Sequence, residues 1–181
     1  MVSASIAKQN FSTESEDVIN RQIQIDQIAQ QQYLSTAAYF GRDDIALPGL
    51  EKHFLEQAER EGKRVQLLVD YQETRGGVAL IKDVPQPKAE YGTANVAIEA
   101  SLVLEKEVNE SLLNMTRVAI NSQDREFKHY LKSKHLTERV NAIEKVCKGL
   151  TQLQRTKGEG LGLHLYDQAM YHNDGEFTVG K

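Results

Sequence analysis

The sequence predicts an all-α protein: a four-helix bundle with a long crossover in its middle and a short fifth helix at its end. Three observations carry that prediction. Apolar residues recur at alternating spacings of three and four through four long segments, the pattern of helices that bury one stripe against one another. Alternation of period two, the mark of strands, is nearly absent. Between the second and third segments lies a stretch with two of the three prolines and no helical period, long enough to run the length of a bundle.

The first helix, about 13–41, opens on a capping-box pattern, Thr13 with Glu16 three residues later, and carries its stripe through Ile19, Ile23, Asp26, Tyr33, Ala37 and Phe40 to Gly41. The second, about 46–75, is started by Pro48, whose missing N–H is no loss in a first turn, and its stripe runs Leu50, Phe54, Glu61, Arg64, Leu68 and Tyr71 until Gly76-Gly77 stops it. Val78 to Tyr91 is the long connection. A short loop would force antiparallel neighbours, whereas this one sets the second and third helices parallel. The third helix, about 92–121, buries Ile98, Leu102, Glu105, Leu112 and Ala119. The fourth, about 124–155, turns inward Leu136, Arg139, Ile143, Val146, Leu150 and Leu153 before Lys157-Gly158-Glu159-Gly160 breaks it. A fifth, about 160–171, closes a single domain spanning 1–181, with no internal repeat.

Composition narrows the function classes. A chain of 181 residues can bury a core without staples, and Cys147, the one cysteine, excludes a disulfide scaffold. Net charge of −4 gives no global attraction for nucleic acid or anionic lipid. No stretch approaches a membrane span, and Met1–Asn10 lacks the apolar core of a signal peptide, so the expectation is a soluble, cytoplasmic protein with no membrane or nucleic-acid partner.

The anomaly lies in the stripes. Asp26, Glu61, Arg64, Glu105 and Arg139 all occupy seats that face the core. A buried carboxylate without a partner costs several kcal/mol, so these acids need either a protein cation or a metal. Glu61 and Arg64, three residues apart on one helix face, can pair with no help from tertiary structure. Carboxylates from several helices of a bundle, with a Glu-x-x-His pattern, also hold di-iron centres; here the pattern reads Glu61-Gly62-Lys63-Arg64. A guanidinium has no acceptor lone pair and repels a cation. Three acids against two arginines make a poor host for two ferrous ions, so a salt-bridge network is the favoured reading. An intact dinuclear centre and a weak single-metal site on Asp26, Glu61 and Glu105 are the alternatives.

Smaller signals read as ordinary structure. Three glycosylation-like triplets begin at Asn10, Asn109 and Asn114, two of them inside an expected helix. His135, His164 and His172 lack metal-ligand spacing, and Cys147 reads as a packed thiol.

Asn20-Arg21-Gln22-Ile23, Tyr33-Leu34-Ser35, Tyr39-Phe40-Gly41-Arg42-Asp43-Asp44, Arg75-Gly76-Gly77, Leu104-Glu105-Lys106 with Val108-Asn109, and Gly160-Leu161 together resemble the ferritin family, in its animal type, from Ala4 to about Tyr171. The resemblance implies an up-down-down-up bundle with a short fifth helix, and a homo-oligomeric hollow shell of 24 subunits that stores ferric mineral, with iron and no organic cofactor. It matches Glu61 and Glu105 to carboxylates of the ferroxidase centre and Tyr33 to its neighbouring tyrosine, with Asp26 in place of a glutamate. Arg64 stands at the histidine ligand's place, Arg139 at a glutamine's and Arg60 at a further glutamate's. This pattern is similar to the non-catalytic light type of chain, where a basic residue also fills the centre, although here the substitution falls at different positions; such a subunit would depend on a catalytic partner chain for oxidation. Glu56 and Glu59 match mineral-nucleating glutamates, while Arg60 and Lys63 replace two others; an ordinary solvated helix face is the equal alternative. In the run Lys128–Lys134, His129 and Lys132 take positions that are acidic in iron-conducting three-fold channels. Three copies of each would repel Fe²⁺. Leu161, Leu165 and Ala169 would line a four-fold channel, or equally face the core. The resemblance thus implies an iron-storage subunit without a complete ferroxidase centre; the alternatives are an iron-poor structural or protective cage, and residual ferroxidase chemistry at Asp26, Glu61 and Glu105.

Overall fold

The computed structural model describes residues 5–178. Its helices are α1 (Thr13–Phe40), α2 (Pro48–Thr74), α3 (Ala94–Asn121), α4 (Arg125–Leu131), α5 (Thr137–Arg155) and α6 (Gly160–His172). Between α4 and α5 the chain makes a π-turn, Lys132–Leu136, and the backbone stays right-handed helical through both junctions. The expected fourth helix is therefore one rod with a wide turn inside it. No strand occurs among the described residues.

The helix starts follow capping chemistry, with one correction. The first N-cap is Ser12, whose Oγ accepts from Ser15 N–H at 3.0 Å, rather than Thr13. Thr93 and Asp124 cap α3 and the fourth rod in the same way, accepting from Val96 and Phe127 N–H. The second helix begins at Pro48, the residue expected to start it, two residues inside the expected span of 46–75. It ends on Gly76 at φ 78°, a left-handed conformation that glycine adopts without strain.

Hydrogen bonds fix the topology. The crossover lies along α1: Asn20 Nδ2 donates to Val78 O, Gln24 Nε2 to Asp83 O, and Gln32 Nε2 and Ser35 Oγ to Lys88 O. The chain leaves α2 beside Glu16, where Gln72 Nε2 donates to the Glu16 carbonyl, and re-enters at Tyr91, whose ring meets Tyr39 edge-on at 5.4 Å. α2 and α3 therefore run the same way, both opposed to α1. The last rod starts beside the end of α2, where Arg75 pairs with Asp124 at 2.7 Å, and returns parallel to α1. This is the up-down-down-up order.

The core sits on the inward stripes of all four rods, with Ile19, Ile23, Phe40, Leu50, Phe54, Leu68, Ile98, Leu112, Phe127 and Leu153 buried. Each such side chain contributes about 1.5–3 kcal/mol of hydrophobic burial. Near one end, Phe40 stacks on Phe54 at 5.6 Å, and Tyr33 leans on Phe54 at 6.0 Å. The π-turn corrects one inward assignment: His135 is buried and Leu136 is only half-buried, because a turn with an extra residue redistributes which side chains face in.

Candidate metal centre and its arginines

Midway along the bundle, six side chains from four rods meet out of solvent. Asp26 and Tyr33 come from α1, Glu61 and Arg64 from α2, Glu105 from α3 and Arg139 from α5, and all are buried. Their helices deliver them because each sits on the apolar stripe, in register with the leucines and phenylalanines one and two turns away.

Arg139 is the hub. Its Nη1 donates to Glu61 Oε1 at 2.9 Å and to Glu105 Oε2 at 2.7 Å, and its Nη2 donates to Glu61 Oε2 at 3.1 Å. Arg64 Nη1 adds a bond to Glu61 Oε1 at 2.5 Å, and the Tyr33 hydroxyl donates to Glu105 Oε1 at 2.5 Å. Both oxygens of both glutamates are thereby taken by protein donors. A guanidinium fork spanning two carboxylates is among the stronger charge-assisted arrangements available. The two glutamates hold the Arg139 guanidinium well above its ordinary value, although burial works in the opposite direction. Burial and the neighbouring Glu105 and Glu61 carboxylates keep the Tyr33 phenol un-ionised.

Asp26 is placed differently. Gln22 Nε2 donates to its Oδ1 at 2.7 Å, while Oδ2 has no partner. Burial, then repulsion from Glu61, outweighs the two arginines and raises its carboxyl to about 7. Folding consequently takes up a proton at this site between the ordinary carboxylate value and about pH 7, and Asp26 costs stability as pH rises through that window. We expect Asp26→Asn to be more stable than the parent by about 2–4 kcal/mol at pH 8, with the difference fading toward pH 4, in denaturant unfolding at both pH values. A difference that grew in acid would contradict this placement.

Other residues singled out by sequence lie elsewhere. Arg60, expected beside the centre, points away from it and pairs with Glu176 and, at 3.7 Å, with Glu56. Glu56 is half-buried, and burial raises its carboxyl; Glu59 is exposed and lowered by its bond to Lys63 at 2.7 Å. His129 and Lys132 are exposed, at the end of α4 and the start of the π-turn. Leu161, Leu165 and Ala169 share an exposed face of α6.

Sequence reasoning missed four contributors. Gln22 could have been found as the i−4 neighbour of Asp26 on the same face. His135 lies one turn before Arg139, yet neither ring nitrogen has a partner, and burial followed by repulsion from Arg64 and Arg139 lowers it to about 4. Glu138 touches Arg64 Nη2 at 3.5 Å from the exposed side. Glu176 had no sequence signal: it reaches Arg60 and Lys145 only because the chain after α6 folds back.

An up-down-down-up bundle with a carboxylate from each of three helices at mid-height defines the class of carboxylate-centred helical bundles. The family description "Ferritin-like domain" matches residues 16–156. A soma ferritin of Lymnaea stagnalis is 40% identical over 168 residues, covering 92% of this chain and 96% of that protein. Ferritin-1, chloroplastic, of Pisum sativum is 42% identical over 173 residues, 93% of this chain and 68% of that protein. Ferritin-3, chloroplastic, of Glycine max is 37% identical over 177 residues, 95% and 69% respectively. The chain belongs to the ferritin family. Animal and plant relatives stand at much the same identity, so membership is of the family as a whole. Among the described residues no helix is long and apolar enough to cross a membrane.

Proposed function

We propose that this chain is a light-type ferritin subunit for iron storage, one domain over its whole length, assembling as a cytoplasmic shell of 24 copies and relying on a catalytic ferritin chain to oxidise Fe²⁺. The observation that supports this reading is the Arg139 bridge between Glu61 and Glu105, with Arg64 on the same carboxylate. An ion entering between the glutamates must displace a guanidinium whose charge it also meets, and of the three acids at the centre Asp26 alone keeps an oxygen without a partner among the described residues. Among the described residues no three His, Cys, Asp or Glu side chains are grouped so as to hold a metal ion. Iron reaches the chain as cargo, and Glu56 and Glu59 are the carboxylates available to seed mineral.

Fe²⁺ oxidation by the homopolymer, measured with the iron retained per shell, tests the reading. Slow oxidation is expected, with iron retained once a catalytic ferritin chain is mixed in. Oxidation at the rate of a catalytic ferritin, abolished by Glu61→Gln, overturns it. A second reading, an iron-poor structural or protective cage, is favoured by exposed His129 and Lys132. Mixed shells that hold no mineral would select it.

A further inference from the structure

A groove of about 630 Å³ opens between α2 and α5, on the outer side of Arg64. Its walls carry four cations, Arg60, Lys63 and Arg64 from α2 and Lys145 from α5, against two acids, Glu138 and Glu144. The α2 cations fall at i, i+3 and i+4, so one helix face presents all three. Neither acid neutralises them well: Glu144 is bound to Lys148 at 2.7 Å, and Glu138, largely exposed, touches Arg64 only at 3.5 Å.

The chain itself supplies an anion to this groove. After α6 the backbone folds back, His53 Nδ1 lies 2.7 Å from Gly175 O, and the Phe177 ring packs against His53 and directly against Gly149, where a Cβ would collide with it. That brings Glu176 onto one cation of each wall, its Oε2 accepting from Lys145 Nζ at 2.9 Å and its Oε1 accepting from Arg60 Nη2. The two cations pull the Glu176 carboxyl down to about 2 against the effect of burial. An oxyanion clamped from both walls is thus already seen, in the form of a carboxylate. On the same helix face, Lys63 is held among the described residues only by Glu59, with side-chain exposures of 71% and 67%, a pair that water and salt exchange readily. Arg64 Nη2, with its single long contact, faces the same space.

We propose that the α2–α5 groove is a binding site for inorganic phosphate, held by Arg60, Lys63, Arg64 and Lys145, with the Glu176 carboxylate as a tethered competitor. Guanidinium forks and ammonium groups match the geometry and charge of a tetrahedral dianion, which brings more charge to the clamp than the carboxylate it meets there. The proposal does not depend on iron chemistry and stands or falls apart from the storage reading.

Equilibrium dialysis of the iron-free, assembled protein against labelled inorganic phosphate at low ionic strength tests it. Saturable uptake is expected, weakening as salt rises. Lys63→Glu and Lys145→Glu, both at exposed positions, should each weaken it by about tenfold or more. Glu176→Gln should tighten it several-fold. Lys106→Glu, an equal charge reversal on exposed α3 surface, should leave it unchanged. Absence of saturable uptake, an equal loss in Lys106→Glu, or weaker binding in Glu176→Gln overturns the proposal.

Discussion

Arg139→Met is expected to lower the unfolding free energy by about 3–5 kcal/mol at neutral pH, the cost of leaving a buried charge without its partner. The methionine keeps the aliphatic stem and removes the three bonds that Glu61 and Glu105 receive from Arg139. Glu61 then keeps Arg64 alone, and Glu105 keeps only the Tyr33 hydroxyl. The deficit should shrink in acid, where a carboxylate stripped of its cation can take up a proton. Combining Arg139→Met with Glu61→Gln and Glu105→Gln should recover much of the loss, because a buried ion network replaced as a whole is often no less stable than the original. Denaturant unfolding of the single and triple variants measures both. A cost under about 1 kcal/mol for Arg139→Met would mean that the pair is solvated, contrary to its burial.

Arg64→His combined with Arg139→Gln is expected to turn the network into a divalent-metal site. Both guanidiniums leave, so Asp26, Glu61 and Glu105 lose the two cations that now face them. The imidazole introduced at position 64 stands three residues from Glu61 on one helix face, and the amide at 139 presents an oxygen between Glu61 and Glu105. Without metal the double variant should be less stable than the parent, because the acids then repel one another. Added Zn²⁺ or Co²⁺ should raise its melting temperature, by the equivalent of about 2.7 kcal/mol at a hundred times the dissociation constant. Fe²⁺ oxidation should rise with it. Arg139→Gln alone should gain little, because Arg64 still bonds Glu61 at 2.5 Å. Thermal melts with and without metal check this, and a double variant indifferent to divalent ions would show that the arginines are not what keeps metal out.

Much of this architecture was legible from local pattern. The spacing of Ile19, Ile23, Leu50, Phe54, Leu68 and Ile98 marks the buried faces because a helix repeats every 3.6 residues whatever it packs against. The same periodicity put Asp26, Glu61, Glu105, Arg64 and Arg139 inside, and the Glu61–Arg64 bond followed from their spacing alone. Glycine and proline, whose preferences are local, marked the end of α2 and the crossover. The π-turn left no comparable trace: a wider turn is chosen by what the helix packs against, and Leu136 rather than His135 looked buried on α-helical spacing.

The sequence by itself determined the buried stripes outside the π-turn, with Asp26, Glu61, Arg64, Glu105 and Arg139 on them, and hence that acids and arginines must share the middle of the bundle. Only the tertiary structure decided who pairs with whom: that Arg139 reaches Glu61 and Glu105 across 78 and 34 residues, that Arg60 turns away to Glu176, and that Asp26 keeps an oxygen free. Burial of a side chain follows from a helix's own periodicity, which the chain carries locally. Partnership inside the core depends on the relative height and rotation of separate helices, which are set only when all of them pack together.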